Sequence, residues 1–278
     1  MILKKFIVKF PKKLNNLKLA FITGATKGIG RSTAITFANA GWDLILLSRN
    51  MDLMEKLKSE LLTTKSKINL VKCDLSNPLE IEHCVKEAIA KYGCPSVLIN
   101  NAGCAFNGPL VEMELGQWEQ TIQINLTSVF QICSSIIPQM RKNGGLVINV
   151  SSHASYNSFP KWGAYCVSKS ALAMFTKCLR EEERSNSIRA CTITLGSVNT
   201  PLWDSESINS DFDRNSMLSS KEVSETILYM AQKPESQLIE DMILMPSGGP
   251  FKHSVYLINL KKKRFFFNGT LTRLNKRM

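Results

Sequence analysis

The chain has 278 residues, of which 44% are hydrophobic, 21% charged and 8% aromatic. This length allows one or two domains, and the apolar fraction excludes a disordered, collagen-like or low-complexity protein. No apolar stretch reaches the roughly 18 residues that a membrane-spanning helix needs, which argues against an integral membrane protein.

The formal net charge of +12 is concentrated at the two ends of the chain. Residues 1–18 contain six lysines, residues 251–278 contain eight lysines and arginines, and neither segment has an acidic residue. We therefore expect a basic N-terminal extension (1–18), a nearly neutral folded domain (19–250) and a basic C-terminal tail (251–278). The two ends are either solvated or make weak contacts with an anionic surface such as lipid, nucleic acid or acidic protein.

Eight cysteines and three histidines occur without the spacing of a metal site or a disulfide framework. Charges interrupt the apolar residues near the N-terminus, unlike in a secretory signal, but a short amphipathic helix before Pro11 leaves an organellar presequence open. These features predict reduced thiols and no metal centre. They also predict a cytoplasmic location, with the stroma of a plastid or another organelle as the alternative.

From residue 19 onward, short apolar strands alternate with amphipathic helices. The predicted strands are Leu19–Thr23, Asp43–Leu47, Ile68–Lys72, Val97–Asn100, Leu146–Val150, Ile188–Thr194 and Met242–Met245. The predicted helices span 29–40, 51–64, 78–91, 117–142, 163–184 and 220–232. Because such apolar strands must be covered on both faces, we predict an α/β fold. It is a single Rossmann-like, doubly wound domain with a seven-stranded, mainly parallel sheet and helices on both faces.

Two smaller expectations concern the helices and one connection. Met113, Met174 and Met230 lie on apolar helical faces and are predicted to be core residues. Residues 203–219 are rich in Ser, Asp and Asn and only weakly periodic, which favours a mobile lid.

A glycine-rich turn follows the first predicted strand and leads into a helix. It reads Thr23-Gly24-Ala25-Thr26-Lys27-Gly28-Ile29-Gly30. Three glycines allow a tight turn and a close approach to a pyrophosphate, which the free N–H groups of the helix N-terminus can bind. Glycine clusters are common in loops, but a position between strand and helix is the context this motif requires. The predicted dinucleotide ligands in the turn are Gly24, Thr26, Lys27, Gly28, Ile29 and Gly30.

The end of the second predicted strand discriminates between the nicotinamide cofactors. Sites for NAD place an acidic residue about 20 residues beyond the glycine turn, where it binds the ribose 2′-hydroxyl. This chain has Leu46-Leu47-Ser48-Arg49-Asn50 instead. Arg49 and Lys27 favour NADP(H), because two cations complement the 2′-phosphate. The alternative is that both are ordinary surface cations.

Two later turns also belong to the predicted cofactor site. Asp74 follows the third strand, where a carboxylate can accept a hydrogen bond from the adenine amino group. Asn100-Asn101-Ala102-Gly103 follows the fourth strand and is a turn of small residues that brings the backbone close to the cofactor. We expect cofactor contacts from Asp74, Asn101, Ala102 and Gly103.

The catalytic candidates follow the fifth predicted strand. Ser152 lies at the end of that strand, Tyr165 begins a helix, and Lys169 comes four residues later. This spacing places a phenol and an ammonium on one helix face, and a close cation lowers the pKa of a phenol from about 10 toward the working range. Such a tyrosine can protonate the alkoxide that develops during carbonyl reduction, and a serine hydroxyl can bind the same oxygen. The Tyr-x3-Lys pattern alone is common by chance.

The full set of motifs resembles the short-chain dehydrogenase/reductase family across residues 19–249. The motifs that carry the resemblance are Thr23-Gly24-x3-Gly28-x-Gly30, Asn100-Asn101-Ala102-Gly103, Asn125, Ser152 and Tyr165-x3-Lys169. The resemblance implies that Tyr165 is the general acid/base and that Ser152 orients the carbonyl. It implies that Lys169 activates the phenol and binds the nicotinamide ribose.

The same resemblance implies roles for three further residues and an assembly. Asn125 holds a water linked to the lysine in a proton relay, and Val198 and Thr200 contact the nicotinamide carboxamide. Homodimers or homotetramers are implied, packed through the helices at 117–142 and 163–184. The usual Pro-Gly of the family before this segment is Leu195-Gly196 here.

Length, cofactor signals and motif layout resemble 3-oxoacyl-(acyl-carrier-protein) reductases and related carbonyl reductases. Ser185-Asn186-Ser187 departs from the Ser-Arg-Gly turn often found in the former. Phe159, Trp162 and Trp203 either line an apolar substrate pocket or are plain packing residues. His153 either touches the substrate or supports the site from behind.

The sequence therefore predicts an NADPH-dependent oxidoreductase that transfers hydride between nicotinamide and a carbonyl or secondary alcohol, acyl thioesters included. One alternative is a non-catalytic NADPH-binding or scaffold protein that uses its basic tails. A nucleic-acid binder is a further alternative, but no specific nucleic-acid partner is expected.

Overall fold

The computed structural model describes residues 18–208 and 213–248. The predicted basic extension, apart from Lys18, and the predicted basic tail lie outside the described residues. Residues 209–212 of the predicted lid also lie outside them.

Seven parallel strands form one sheet. They are Leu19–Thr23 (β1), Asp43–Ser48 (β2), Ile68–Lys72 (β3), Val97–Asn100 (β4), Gly145–Ser152 (β5), Ile188–Leu195 (β6) and Asp241–Leu244 (β9). A separate parallel pair joins Val198–Asn199 (β7) to Leu218–Ser219 (β8). The order in the large sheet is β3-β2-β1-β4-β5-β6-β9. The predicted doubly wound α/β fold with seven strands is confirmed, because the strand order reverses direction between β1 and β4.

Seven α-helices connect the strands in the described part of the chain. They are Gly28–Asn39 (α1), Met51–Glu60 (α2), Pro78–Tyr92 (α3), Leu115–Ile122 (α4), Ser128–Met140 (α5), Gly163–Glu183 (α6) and Ser220–Ala231 (α7). Side chains cap several N-termini: Asn50 accepts a hydrogen bond from the Leu53 N–H at 2.9 Å, and Ser219 forms a capping box with Glu222. These caps explain why α2 and α7 begin where the sequence pattern predicts.

Two apolar layers hold the sheet between the helices. On one face, strand residues such as Ile22 and Leu46 pack in a cluster with side chains of α1, α2 and α7. On the other face, Phe21 and Leu98 pack with side chains of α3, α5 and α6. Both faces of the central strands are therefore buried, as near-continuous apolar strands require, and each fully buried large aliphatic side chain contributes about 1.5–3 kcal/mol.

The single helix predicted over 117–142 is wrong. The segment consists of α4, a π-helical turn over Gln123–Thr127, and α5. A π turn accommodates an extra residue, and here it contains Asn125, which is 1% exposed. The reason lies in tertiary contacts of the Asn125 side chain, which the periodicity of the segment does not report.

Only one of the three methionines that were predicted to be core residues is buried in the core. Met230 on α7 is 2% exposed and belongs to the core. Met174 on α6 is 59% exposed, and Met113 lies outside the helices, directly after a short 3-10 turn. Helical spacing thus identified an apolar face at Met174, but the monomer does not cover it.

The cysteines of the chain all lie in the described residues and are free thiols. Three of them, Cys73, Cys133 and Cys191, are buried among apolar side chains. Within 18–208 and 213–248, none of the helices combines the length and apolarity needed to pass through a bilayer.

Candidate active site

A cavity of about 740 Å³ runs along the carboxyl ends of the parallel strands. Its walls contain the loops that follow β1, β2, β3, β4, β5 and β6. This is the edge where ligands bind in open α/β sheets, beside the point at which the strand order reverses. The cavity brings together most of the predicted site residues: Gly24, Thr26, Lys27, Gly28, Ile29, Arg49, Asp74, Asn101, Ala102, Gly103, Ser152, Tyr165, Lys169, Val198 and Thr200.

The glycine-rich turn needs glycine at three positions for different reasons. Gly24 and Gly28 have φ of +64° and +49°, in the left-handed region that favours glycine. Gly30 is buried in α1, where a Cβ would collide with the carbonyl oxygen of Gly24 and the side-chain amide of Asn101. The absence of these side chains leaves an open cradle at the N-terminus of α1, as a bound pyrophosphate requires.

Asn101 fixes the glycine-rich turn against the end of β4. Its Nδ2 donates to the carbonyl oxygen of Thr23 at 2.9 Å and to that of Gly24 at 3.2 Å. In return, the Thr23 hydroxyl accepts from the backbone N–H groups of Asn101 and Ala102, both at 3.0 Å. The predicted cofactor residue Asn101 therefore lines the cavity while its amide holds the turn in place. Thr23 was not predicted in this role, although a threonine at the end of a strand was the available signal.

Two cations flank the end of β2. Lys27 and Arg49 are both exposed and line the cavity. The Thr26 and Ser48 hydroxyls lie 3.2 Å apart between them. The site thus presents positive charge and hydroxyl groups together at the edge of the cavity, a combination that suits a phosphate.

Asp74 lies at the same end of the cavity, after β3. Its Oδ1 accepts from the backbone N–H of Ser76 at 3.0 Å and from the Ser76 hydroxyl at 2.8 Å. Burial alone would raise the pKa of Asp74, but the two Ser76 hydrogen bonds and the charge of Arg49 hold it below its ordinary value. The carboxylate is therefore ionised and able to accept a further hydrogen bond.

Tyr165 and Lys169 face the cavity together from the first turns of α6. The Lys169 Nζ lies 5.7 Å from the centroid of the Tyr165 ring and donates to the carbonyl oxygen of Val150 at 2.9 Å. Ser152 shares a side-chain hydrogen bond with Tyr165. Its Oγ also accepts from the Ala154 N–H at 3.2 Å. The predicted grouping of Ser152, Tyr165 and Lys169 on one side of the cavity is present.

The predicted lowering of the Tyr165 pKa is wrong for this geometry. Burial raises the pKa of Tyr165 to about 12, and the hydrogen bond with Ser152 offsets only part of that effect. Burial also lowers the pKa of Lys169 to about 8. Burial disfavours the charged form of each group, and the ammonium of Lys169 is hydrogen bonded to the Val150 carbonyl.

The Asn125 side chain connects the turn after β4 to α6, next to the candidate catalytic residues. Its Oδ1 accepts from the Cys104 N–H and its Nδ2 donates to the Cys104 carbonyl oxygen, both at 2.9 Å. Nδ2 also lies 3.0 Å from the Ser168 hydroxyl on α6. A Cβ on Gly103 would lie 3.3 Å from Asn125 Oδ1 and 3.8 Å from Lys169 Nζ. These hydrogen bonds therefore hold the turn after β4 beside the lysine. No sequence motif indicated that Cys104 takes part.

Val198 and Thr200 close the cavity opposite the glycine-rich turn. Val198 pairs with Leu218 in the small sheet, and its carbonyl oxygen accepts from Nε1 of Trp203 at 2.7 Å. A Cβ on Gly28 would lie 3.1 Å from the Thr200 side chain. The segment from 198 to 203 thus packs directly over the predicted cofactor cradle.

The candidate pocket aromatics all line the cavity. Trp162 makes edge-on contacts with Tyr165 and Trp203, with ring centroids 5.8 and 5.7 Å apart. Phe159 and His153 stand beside them, 6.2 Å apart. Of the two interpretations that the sequence left open, the structure supports cavity-lining residues.

The family model described as short chain dehydrogenase matches residues 18–211. The chain belongs to this family. A 3β-hydroxysteroid dehydrogenase of Mediterraneibacter gnavus is 31% identical over 84% of this chain and 94% of its own. A 3-oxoacyl-(acyl-carrier-protein) reductase of Thermotoga maritima is 28% identical over 84% of this chain and 97% of its own. An alcohol dehydrogenase of Thermococcus sibiricus, solved with 5-hydroxy-NADP, is 25% identical with a TM-score of 0.77, covering 83% of this chain and 97% of that one. The predicted family resemblance is confirmed.

Proposed function

We propose that this short-chain dehydrogenase is an NADP(H)-dependent carbonyl reductase or alcohol dehydrogenase. The observation that carries the proposal is the convergence of Ser152, Tyr165 and Lys169 on a cavity that also contains the glycine cradle. The similar alcohol dehydrogenase of Thermococcus sibiricus, solved with an NADP derivative, supports the cofactor assignment.

The cofactor end of the cavity fits NADP(H) through its donor set. The cradle of Gly24, Gly28 and Gly30 suits the pyrophosphate, together with Thr26 and Ile29 of the same turn. Arg49 and Lys27 suit the 2′-phosphate, and no carboxylate stands at the end of β2 to bind a free 2′-hydroxyl. Asp74, Asn101, Ala102 and Gly103 would complete the adenosine side, and Val198 and Thr200 the nicotinamide side.

Bound nicotinamide supplies or accepts the hydride, and the protein supplies the proton. Tyr165 remains protonated at neutral pH because its pKa is about 12, so its hydroxyl can donate to a carbonyl oxygen. Ser152 Oγ accepts from the Ala154 N–H, and its hydroxyl hydrogen, which Tyr165 receives in this structure, would turn to the same carbonyl oxygen when substrate binds. Tyr165 and Ser152 are thus both able to donate to a carbonyl oxygen that is being reduced.

Lys169 and Asn125 position these groups. An ammonium has three donors, and Lys169 uses one on the Val150 carbonyl, so two remain for ribose hydroxyls. Asn125 holds the Gly103–Cys104 turn against the lysine through its side-chain amide. A water held at Asn125, as the family resemblance implies, would connect the lysine to solvent and return a proton to Tyr165.

Homo-oligomerisation through α5 and α6 is part of the proposal. Phe130 on α5 and Val167 and Met174 on α6 are 56%, 45% and 59% exposed. Large apolar side chains on two neighbouring helices are typical of a covered face. Multi-angle light scattering should give the mass of a dimer or tetramer, and a monomer at micromolar concentration would oppose this part.

The reduced thiols are compatible with a cytoplasmic location, with an organelle stroma as the alternative. The basic segments 1–18 and 251–278 would at most make weak contacts with anionic surfaces. A small-molecule carbonyl compound, acyl thioesters included, is the proposed substrate.

The experiment is a binding and turnover assay on the full chain. Calorimetry should detect NADPH binding that is tighter than NADH binding. A panel of ketones should then oxidise NADPH, with loss of absorbance of the reduced cofactor, and Tyr165→Phe should abolish this loss. Tight NADPH binding without turnover of any carbonyl would favour the non-catalytic alternative.

A further inference from the structure

The cavity divides into two halves of different chemistry. The loops after β1, β2 and β3 form the half assigned to the cofactor. The other half, here called the aromatic half, is formed by His153, Phe159, Trp162, Leu202, Trp203 and Ser205 around Ser152 and Tyr165. Substrate must occupy the aromatic half if the proposed function is right, because the proton donor faces it.

Few of the charged residues that line the cavity in the described part of the chain lie in the aromatic half. Lys27, Arg49 and Asp74 lie at the cofactor end, and Lys169 is hydrogen bonded to the Val150 carbonyl. Asp204, at the rim of the aromatic half, is paired with Arg214 across 2.9 Å. An anionic substrate would therefore lose its hydration in this half without meeting a cation from the described lining.

His153 does not change this balance. The side-chain amide nitrogen of Asn157, which only donates, lies 2.8 Å from Nε2 of His153. Nε2 is therefore engaged by an amide of the same chain and is not offered to an anionic group in the cavity.

The indole rings form a fixed wall. Trp203 uses its only polar side-chain atom on the Val198 carbonyl, so it offers the cavity hydrocarbon alone. The backbone of Trp162 is fixed at the N-terminus of α6, where its amide N–H donates to the Phe159 carbonyl at 3.0 Å and its carbonyl accepts from the Cys166 N–H at 2.8 Å. Its ring packs edge-on between the rings of Tyr165 and Trp203. Rings held in this way are complementary to a rigid, flat partner and gain little from a flexible chain.

The wall continues directly to the catalytic hydroxyl. Trp203 contacts Trp162, and Trp162 contacts Tyr165, with interplanar angles of 65° and 73°. A carbonyl oxygen that Tyr165 protonates has its carbon substituents beside the next ring of this series, which is Trp162. The indole rings would therefore contact the group that is bonded directly to the carbonyl carbon, and they would determine which group is accepted there.

We propose that the substrate is a neutral ketone whose carbonyl is attached to a planar apolar ring system, and that Trp162 and Trp203 determine this preference. The proposal rests on the proposed function and narrows it. It excludes ketones with a carboxylate near the carbonyl, which bring a negative charge to the same half.

Matched ketones test the ring preference with the full-length protein and NADPH. Acetophenone and cyclohexyl methyl ketone share one carbon skeleton, and only the first has a planar ring. We expect kcat/KM for acetophenone to exceed that for the saturated ketone threefold to tenfold. In Trp162→Leu and Trp203→Leu this ratio should fall threefold or more, because the contact that favours the planar ring is lost. The difference in intrinsic reactivity between the conjugated and the unconjugated carbonyl is the same in every variant and cancels in this comparison.

Three controls separate specificity from folding. Trp118→Leu makes the same chemical change on α4, outside the cavity lining, and should keep the wild-type ratio. Trp203→Phe keeps a ring but loses the Val198 hydrogen bond, and should keep most of the preference. Calorimetric NADPH affinity should stay within threefold of wild type in Trp118→Leu and Trp162→Leu. The Trp203 variants lose the hydrogen bond to Val198 beside the cofactor cradle, so their ketone ratio is measured at saturating NADPH.

A charge pair tests the second half of the proposal. Methyl 4-acetylbenzoate should be reduced with at least tenfold higher kcat/KM than 4-acetylbenzoate. Equal use of the two, or a ring ratio that the indole substitutions leave unchanged, would overturn the proposal while leaving the proposed function standing. Absence of both NADPH binding and ketone reduction would instead refute the proposed function, and this proposal with it.

Discussion

The Nζ of Lys169 lies 2.9 Å from the carbonyl oxygen of Val150, two residues before Ser152. This hydrogen bond joins α6 to the end of β5, so the lysine, Tyr165 and Ser152 are fixed with respect to one another. It also explains why the ammonium remains 5.7 Å from the centre of the phenol ring rather than at its oxygen. The backbone of β5 is therefore hydrogen bonded to the proposed catalytic group.

The titration of Lys169 predicts the pH dependence of cofactor capture. Burial lowers the pKa of Lys169 to about 8, so the ammonium form, which can bind ribose hydroxyls, predominates below this pH and is lost above it. We expect kcat/KM for NADPH, which reports the free enzyme, to be constant below pH 8 and to fall toward tenfold per unit above it. Titration of Tyr165 should not change kcat/KM in this pH range because its pKa is about 12.

Lys169→Arg is the matched variant for this profile. Its guanidinium keeps its charge throughout the range, so a lower but flat profile between pH 7 and 10 is expected. A wild-type profile that rises from pH 7 to 9 would contradict the assignment of the limb to the lysine.

The position of Arg49 at the end of β2 predicts that it contributes to a preference for NADPH over NADH. Arg49→Ala should weaken NADPH binding about tenfold or more and leave NADH binding within twofold, because a charge-assisted phosphate contact is worth about 1.5–3 kcal/mol. Lys27→Ala should have a smaller effect of the same sign, since the lysine is a flexible point charge. Calorimetry with both cofactors provides the measurement. Lys56→Ala on α2, outside the cavity lining, is the control, and an equal loss there would mean that the effect is one of overall charge.

Gly30 predicts a steric effect on stability. A methyl group there meets the Gly24 carbonyl and the Asn101 amide, so Gly30→Ala should lower the free energy of unfolding by about 1–3 kcal/mol and weaken NADPH binding. A methyl group at Gly116 in α4 would meet no neighbouring atom within 4 Å, and Gly116→Ala should stabilise by about 0.5–1 kcal/mol. Urea denaturation of both variants gives the comparison, and similar changes in the two would refute the packing argument.

Asn125 predicts a combined loss of stability and rate. Asn125→Ala leaves the Cys104 N–H and carbonyl without their side-chain partner, which should cost about 1–3 kcal/mol in unfolding free energy. The turn beside Lys169 should loosen, so kcat should fall more than NADPH affinity. Asn143→Ala, at an exposed turn, should change neither quantity. Wild-type kcat in a destabilised Asn125→Ala would restrict the residue to a structural role.

The sequence was most informative where local pattern and tertiary environment agree. The strands β1, β3 and β4 have the predicted bounds. For β1 and β4 the reason is that a strand buried on both faces has a nearly continuous apolar sequence that ends at a polar residue. The glycines of the first turn were equally clear, since Gly24 and Gly28 adopt backbone conformations that other residues avoid.

The features that the sequence did not predict depend on contacts between distant segments. The π turn at Asn125 follows from bonds to Cys104 and Ser168, which are 21 and 43 residues away. The raised pKa of Tyr165 follows from burial in a cavity that several loops build together. Helical spacing correctly placed Tyr165 and Lys169 on one face, but it could not show that a backbone carbonyl attracts the lysine.

The most direct measurement of the central claim, that Tyr165 gives the proton while nicotinamide gives the hydride, is single-turnover oxidation of bound NADPH. Wild-type protein and Tyr165→Phe, each saturated with NADPH, are mixed with acetophenone and the reduced-cofactor absorbance is followed. The two should bind NADPH within threefold of each other, and the Tyr165→Phe rate should be lower by about 10²–10⁴. A Tyr165→Phe rate within threefold of wild type would contradict the assignment of Tyr165 as the acid.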